Sequence, residues 1–194
     1  GAAAGAVIKR RKANMNINNR AFEKAIEIVM KFEGGYCIDQ GGPTNYGVSS
    51  NAYPGLNVQR LTRTKAVIIH FERWIKCKAD RMPWPLAVLH FDNAVNAGIY
   101  GSGKMLQRSI NEVLSPASGI AVDGIVGPQT LGAIDKIKYG GRLKQLMAEY
   151  LLERGDHFTK LARFKKHRDS LLGWMRRRMK IRAFVKANPN LIEY

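Results

Sequence analysis

The chain has 194 residues, 45% of them hydrophobic and 24% charged. That composition can bury a core, as one domain or as a catalytic domain with a small appendage, and it excludes a chain too polar to fold. Basic residues outnumber acidic ones 32 to 15, giving a net charge of +17. Such an excess predicts a polyanionic partner without choosing among nucleic acid, anionic lipid and anionic cell wall.

The chain opens on Gly1-Ala-Ala-Ala-Gly-Ala-Val-Ile8 and Lys9-Arg-Arg-Lys12. The apolar run is too short to span a bilayer, and residues 1–15 are set aside as a lead: the remnant of an export or anchor segment, or a disordered tail. The first helix is expected over Asn19–Phe32, where Phe22, Ile26 and Val29 repeat at helical spacing. Glu33 continues that apolar face at the helix C-terminus. A carboxyl group on a core stripe calls for a use. Partial burial and the negative end of the helix dipole there both favour the protonated form that a general acid needs. The Gly34-Gly35 pair then ends the helix, and Asp39 and Thr44 follow on a short Gly-rich hairpin, with Tyr46, Val48 and Ser49 giving weak strand alternation.

Thr62 or Thr64 caps a second helix whose face carries Val67, Phe71 and Trp74, with Trp74 a core residue. Pro83 and Pro85 break it. A third helix is expected over Leu86–Ala97, followed by a loop at Gly98, Gly101 and Gly103; the G-x-x-G-x-G spacing lacks the preceding strand that a phosphate loop requires. Lys104–Leu114 is helical, and Gly127-Pro128 opens the next helix, Pro suiting its first position. From Arg142, the residues Leu143, Leu146, Met147, Tyr150 and Leu151 make an apolar face. A last helix is expected over about Ser170–Phe184, with Leu172, Met175 and Met179 packed in the core and Arg176, Arg177 and Arg178 around them. The alternative for this basic helix is to lie on an anionic membrane. Cys37 and Cys77 are expected as buried free thiols, with a disulfide between them as the alternative. The four histidines stand apart without ligand spacing, so no metal or other cofactor is implied.

Three motifs carry a resemblance. Glu33-Gly-Gly-Tyr36 followed by Asp39-Gln-Gly-Gly-Pro-Thr44-Asn-Tyr-Gly47 resembles the catalytic motif of glycoside hydrolase family 108, the phage-associated N-acetylmuramidases. The stretch between the two elements is about three residues shorter than is usual there, and it keeps one Asp where the family often has two. Asp92-Asn-Ala-Val-Asn96-Ala-Gly98 resembles the family's D-x-x-V-N-x-G segment. Leu106-Gln-Arg108 with Val122-Asp-Gly-Ile-Val-Gly-Pro-Gln-Thr-Leu131 resembles the peptidoglycan-binding segment that follows the catalytic part in this family.

The resemblance implies a mainly α, lysozyme-like α+β fold: a helical bundle with a short β-hairpin beside the cleft. A catalytic part over 16–100 would be followed by a peptidoglycan-binding-like part over 101–194, packed on it. It implies an endolysin-type muramidase that cuts the β-1,4 bond between N-acetylmuramic acid and N-acetylglucosamine, acting as a monomer at the bacterial wall after release or export from the cytoplasm. Glu33 matches the catalytic acid, and Asp39 and Thr44 match the Asp and Thr of the motif. Tyr36, Tyr46, Asp92 and Asn96 are the candidate sugar contacts, although Asp92 and Asn96 suit a bracing role equally well. The rival readings are a non-catalytic wall-binding protein and a basic membrane-active or nucleic-acid-binding protein. No recognition motif with interleaved aromatics is present, so nucleic acid is not expected as a partner.

Overall fold

The computed structural model describes residues 19–33, 35–39, 42–114, 118–164, 168 and 170–187. The apolar and basic lead falls outside them. Helix α1 spans Asn19–Phe32, and a small antiparallel sheet follows: β1 (Cys37–Asp39), β2 (Gly42–Asn45) and β3 (Val48–Ser49), in the order β1-β2-β3. Helix α2 spans Arg63–Lys76, α3 Trp84–Val113, α4 Pro128–Tyr139, α5 Leu143–Ala162 and α6 Leu171–Ala187. The fold is mainly helical and lysozyme-like, as the resemblance implies, and the expected hairpin is extended by a third short strand.

Helix α3 is the axis on which the others pack, touching α1, α2, α4, α5 and α6. Its N-terminus is set by proline: Pro83 is the N-cap and Pro85 lies in the first turn, where a missing N–H costs nothing. The expected glycine loop is absent. Only Gly98 leaves the helical conformation (φ 75°, ψ 163°), and the helix resumes at once. Gly103 is helical for a packing reason, since a Cβ there would run into the Gly124 carbonyl.

On one side of α3, Phe22 of α1, Phe71 and Trp74 of α2, and Phe91 form a cluster of tilted and edge-on rings with centroids 5.1–5.9 Å apart. Trp74 is therefore core, as its helical spacing predicts, and Thr62 caps α2 through the Lys65 amide. On the other side, Tyr150 of α5 is buried in a polar knot. Its hydroxyl lies 2.8 Å from His90 Nδ1 and accepts from Asn93 Nδ2 at 2.9 Å. His90 turns Nε2–H to the Cys77 carbonyl at 3.1 Å. Burial drives the His90 pKa down to about 4, so the ring is neutral, and pushes the Cys77 thiol up to about 12. Cys77 is a free buried thiol, but Cys37 lies exposed on β1, contrary to expectation.

Gln107 explains why the segment after α3 reads as it does. Its side-chain amide donates to Asp123 Oδ1 (2.7 Å), the Ile125 carbonyl (3.1 Å) and Thr130 Oγ1 (3.2 Å), and its oxygen accepts the Gly124 N–H at 2.7 Å. One glutamine on α3 thus satisfies the turn that leads into α4.

Helix α6 corrects the sequence reading. Leu172 and Met179, expected in the core, are 68% and 65% exposed. The face turned inward carries Ile181 and Val185, with Arg177 and Arg178 beside them. Arg178 donates to the Leu151 carbonyl at 2.9 Å, its guanidinium lying over Gly155 where no side chain intervenes.

Candidate active site

Glu33 is the first residue past α1, and its N–H still closes the helical bond to Val29 (3.1 Å). Its side chain is mostly buried, at 15% exposure. Two neighbours fix it. On one side lies Gly47: a Cβ there would stand 2.6 Å from the carboxyl carbon and 2.9 Å from Oε2. On the other, Arg177 of α6 donates Nη1–H to Oε1. The Arg177 guanidinium also lies over the Phe32 ring, 5.6 Å from its centroid. One carboxyl oxygen therefore faces a cation and the other a glycine.

The β2–β3 turn brings Gly47 there. Tyr46 (φ 51°) and Gly47 (φ 72°) are both left-handed, as the two central residues of a tight type I′ hairpin must be. A left-handed Tyr costs energy that neighbours offset: the His70 ring donates Nε2–H to the Tyr46 carbonyl at 2.8 Å, and the buried Asn45 amide donates to the Val58 carbonyl at 3.0 Å. Burial first, then the charges of Arg73 and Arg177, hold the His70 pKa down near 4 against the pull of that carbonyl, so His70 is neutral.

Thr44 lies mid-β2, paired with Cys37 and Ser49, and its hydroxyl donates to the Gly42 carbonyl at 3.3 Å. Asp39 ends β1 opposite Gly42; its side chain lies outside the described residues. Tyr36 is 42% exposed at the foot of the sheet, and Tyr46 is half-buried at the turn. Asn96 is half-buried and donates to the Asp92 carbonyl at 3.0 Å.

Asp92 is the site residue the structure moves. It does not line the cleft: it is fully buried, one oxygen 2.6 Å from Arg154 Nη1 and the other held by Arg177 Nε (2.9 Å) and Nη2 (2.8 Å). Burial alone would raise its pKa, but the guanidinium groups of Arg177 and Arg154 outweigh it and hold the carboxyl below the ordinary carboxylate range. Arg177 in turn is held above its usual value by Asp92 and Glu33 despite its own burial. The result is a chain of alternating charge, Arg154–Asp92–Arg177–Glu33, running from α5 through α3 and α6 to the tip of α1. Neither arginine was among the expected site residues. Among the described residues no group of three His, Cys, Asp or Glu side chains is arranged to hold a metal ion.

This arrangement of an acid at a helix tip under a glycine hairpin coincides with a family match. The glycosyl hydrolase 108 model matches residues 26–98, a span that holds Glu33, Asp39, Thr44, Gly47 and Asp92. Residues 26–98 belong to glycosyl hydrolase family 108. Residues 102–179 match the model described as a predicted peptidoglycan domain, and this second span contains Gln107, Arg154 and Arg177. Among solved structures, SagA of Brucella abortus is similar over 86% of this chain and 94% of its own, with 27% identity and a TM-score of 0.70. No curated protein matches the chain. The family 108 segment with its peptidoglycan segment makes the protein a glycoside hydrolase that acts on peptidoglycan.

Proposed function

We propose that the protein is an endolysin-type muramidase, cutting the β-1,4 bond between N-acetylmuramic acid and N-acetylglucosamine at the bacterial wall and working as a monomer. The observation that carries this reading is the seating of Glu33. Arg177 occupies Oε1, so Oε2, above Gly47, is the oxygen that carries the proton to the leaving glycosidic oxygen. A protonated carboxyl still accepts the Arg177 hydrogen bond on its other oxygen, so the two roles are compatible. Asp39 positions or deprotonates the attacking water, or stabilises charge developing on the sugar ring. Thr44 holds the water through its hydroxyl, and Tyr36, Tyr46 and Asn96 contact the glycan. Glu33→Gln keeps the shape of the side chain and removes the proton. A general acid is typically worth about 10²–10⁴-fold in rate. The variant should clear no purified wall in a zymogram while folding and binding wall as wild type does; more than a tenth of wild-type turnover would remove Glu33 from the role.

A second contact alongside catalysis is favoured by the outward face of α6. Leu172 and Met179, exposed and turned from the core, share a helical stripe with Met175, flanked by the exposed Arg176, Arg182 and Lys186. The helix has no acidic residue. An apolar stripe between cations suits the surface of an anionic phospholipid bilayer. No helix among the described residues is long and apolar enough to cross a membrane, so the contact would be interfacial.

A further inference from the structure

The family 108 segment ends at residue 98, yet the group that grips its acid comes from residue 177, inside the segment matched to the peptidoglycan domain. We infer that Arg177 is a positioning residue for Glu33, and that the C-terminal half completes the active site instead of only tethering it to the wall. This rests on the reading of Glu33 as the acid.

The geometry of the guanidinium is the argument. Arg177 turns Nε and Nη2 to Asp92 Oδ1, and its remaining arm, Nη1, to Glu33 Oε1. The guanidinium is planar, so anchoring it on Asp92 through Nε–H, with Nη2 in ion-pair contact beside it, also sets the direction of Nη1. Its support is buried in turn. Asp92 is fully buried and its second oxygen is taken by Arg154, itself 1% exposed. The Arg154 guanidinium lies 5.5 Å from the centroid of Phe158, and Phe158 stacks on Trp174 of α6 at 5.0 Å. Position thus passes from packed rings through two buried charges to the acid. On the opposite side Gly47 lies against the carboxyl, and its lack of a side chain leaves Oε2 its room. Misplacement of a reacting group by about 1 Å can cost roughly 100-fold in rate, so such a grip acts on turnover and leaves substrate affinity alone.

The test must separate this role from a structural one, because the same arginine neutralises a buried Asp. Arg177→Lys is the informative variant. A lysine keeps a positive charge for Asp92, but a single ammonium cannot bridge two carboxylates in fixed geometry. Turnover and KM are measured on a soluble peptidoglycan oligosaccharide, with thermal unfolding and wall pull-down alongside, for the full chain, Arg177→Lys, Arg177→Gln and Glu33→Gln. The expected result is a Tm near wild type for Arg177→Lys, KM within twofold, kcat lower by at least tenfold, and wall binding unchanged. Arg177→Gln, whether or not it folds, should be more damaging than Arg177→Lys. If Glu33→Gln is inactive but Arg177→Lys turns over within threefold of wild type, the positioning role is wrong. A loss of kcat that only tracks the loss of folded protein would also overturn it. If Glu33→Gln remains active, the reading of the acid fails, and this inference with it.

Discussion

Gly47→Ala probes the seating of Glu33 most directly. The substitution has two effects that the structure separates. First, alanine in a left-handed conformation (φ 72° here) costs about 1–2 kcal/mol. Second, the new methyl would stand 2.6 Å from the Glu33 carboxyl carbon and 2.8 Å from its Cγ, where carbon atoms normally rest about 3.5–4.0 Å apart. The carboxyl must therefore move by about 1 Å, away from the hairpin and against Arg177, enough to lower turnover by roughly 100-fold. Gly55 supplies the control: its φ is 85°, and a Cβ there meets nothing within 4 Å. Gly55→Ala should carry the same backbone penalty, a fall in Tm of roughly 2–8 °C for a chain of this size, and keep wild-type turnover. Gly47→Ala should show a comparable or somewhat larger fall in Tm together with the large loss of kcat. The assay is turnover of a soluble peptidoglycan oligosaccharide at saturating substrate, below the Tm of both variants. Equal turnover in the two variants would refute the claim that Gly47 is glycine for the sake of Glu33.

Stability should be flat between about pH 7 and pH 8 and fall steeply below pH 6.5. His70 and His90 are neutral in the fold with pKa values near 4, against 6.5 when unfolded, so the unfolded chain binds more protons between those values. Each ring then removes up to about 1.4 kcal/mol per pH unit, and its stabilisation is gone once pH passes below 4; a Tm unchanged between pH 7 and pH 5 would contradict both burials. Changing Arg176, Arg182 and Lys186 together to Gln should flatten the salt dependence of wall hydrolysis without altering turnover of a short soluble glycan. Screening shortens the reach of such charges from about 30 Å at 0.01 M salt to about 8 Å at physiological strength; parallel salt curves for wild type and variant would show that α6 takes no part in finding the wall. The protein should co-sediment with phosphatidylglycerol vesicles and not with phosphatidylcholine vesicles. Replacing Leu172 and Met179 with Glu should weaken that binding at least tenfold, since each buried side chain is worth about 1.5–3 kcal/mol; undiminished binding would exclude the stripe as the contact.

Much of this protein is written locally in its chain. The 3.6-residue repeats of Phe22, Ile26 and Val29 and of Leu146 and Tyr150 mark buried helix faces, and Thr62, Pro83 and Pro128 set helix starts because caps and proline act through neighbouring backbone. Glu33 stood out for the same local reason, as a carboxyl on an apolar stripe. The glycine run at 98–103 misled because a helix interior tolerates glycine when another chain packs close, and the approach of Gly124 to Gly103 is not a local event. Helix α6 misled for a deeper reason. Its sequence carries two stripes at helical spacing: Leu172, Met175 and Met179, and, opposite them, Arg177 with Ile181, Phe184 and Val185. Apolarity alone favours the first. The tertiary structure buries the second, where Arg177 meets Glu33 and Asp92, because the fully buried Asp92 carboxylate must be paired. Each of these groups interrupts an otherwise apolar face, and each is accounted for by its neighbours in the chain Arg154–Asp92–Arg177–Glu33. The chain by itself determined most helix spans, the hairpin and the place of Glu33 at the end of an apolar stripe. Only the packing of residue 177 against residues 33 and 92 decided how that acid is held, since pairing at such separation depends on where the helices come to rest and leaves no periodic mark in the sequence.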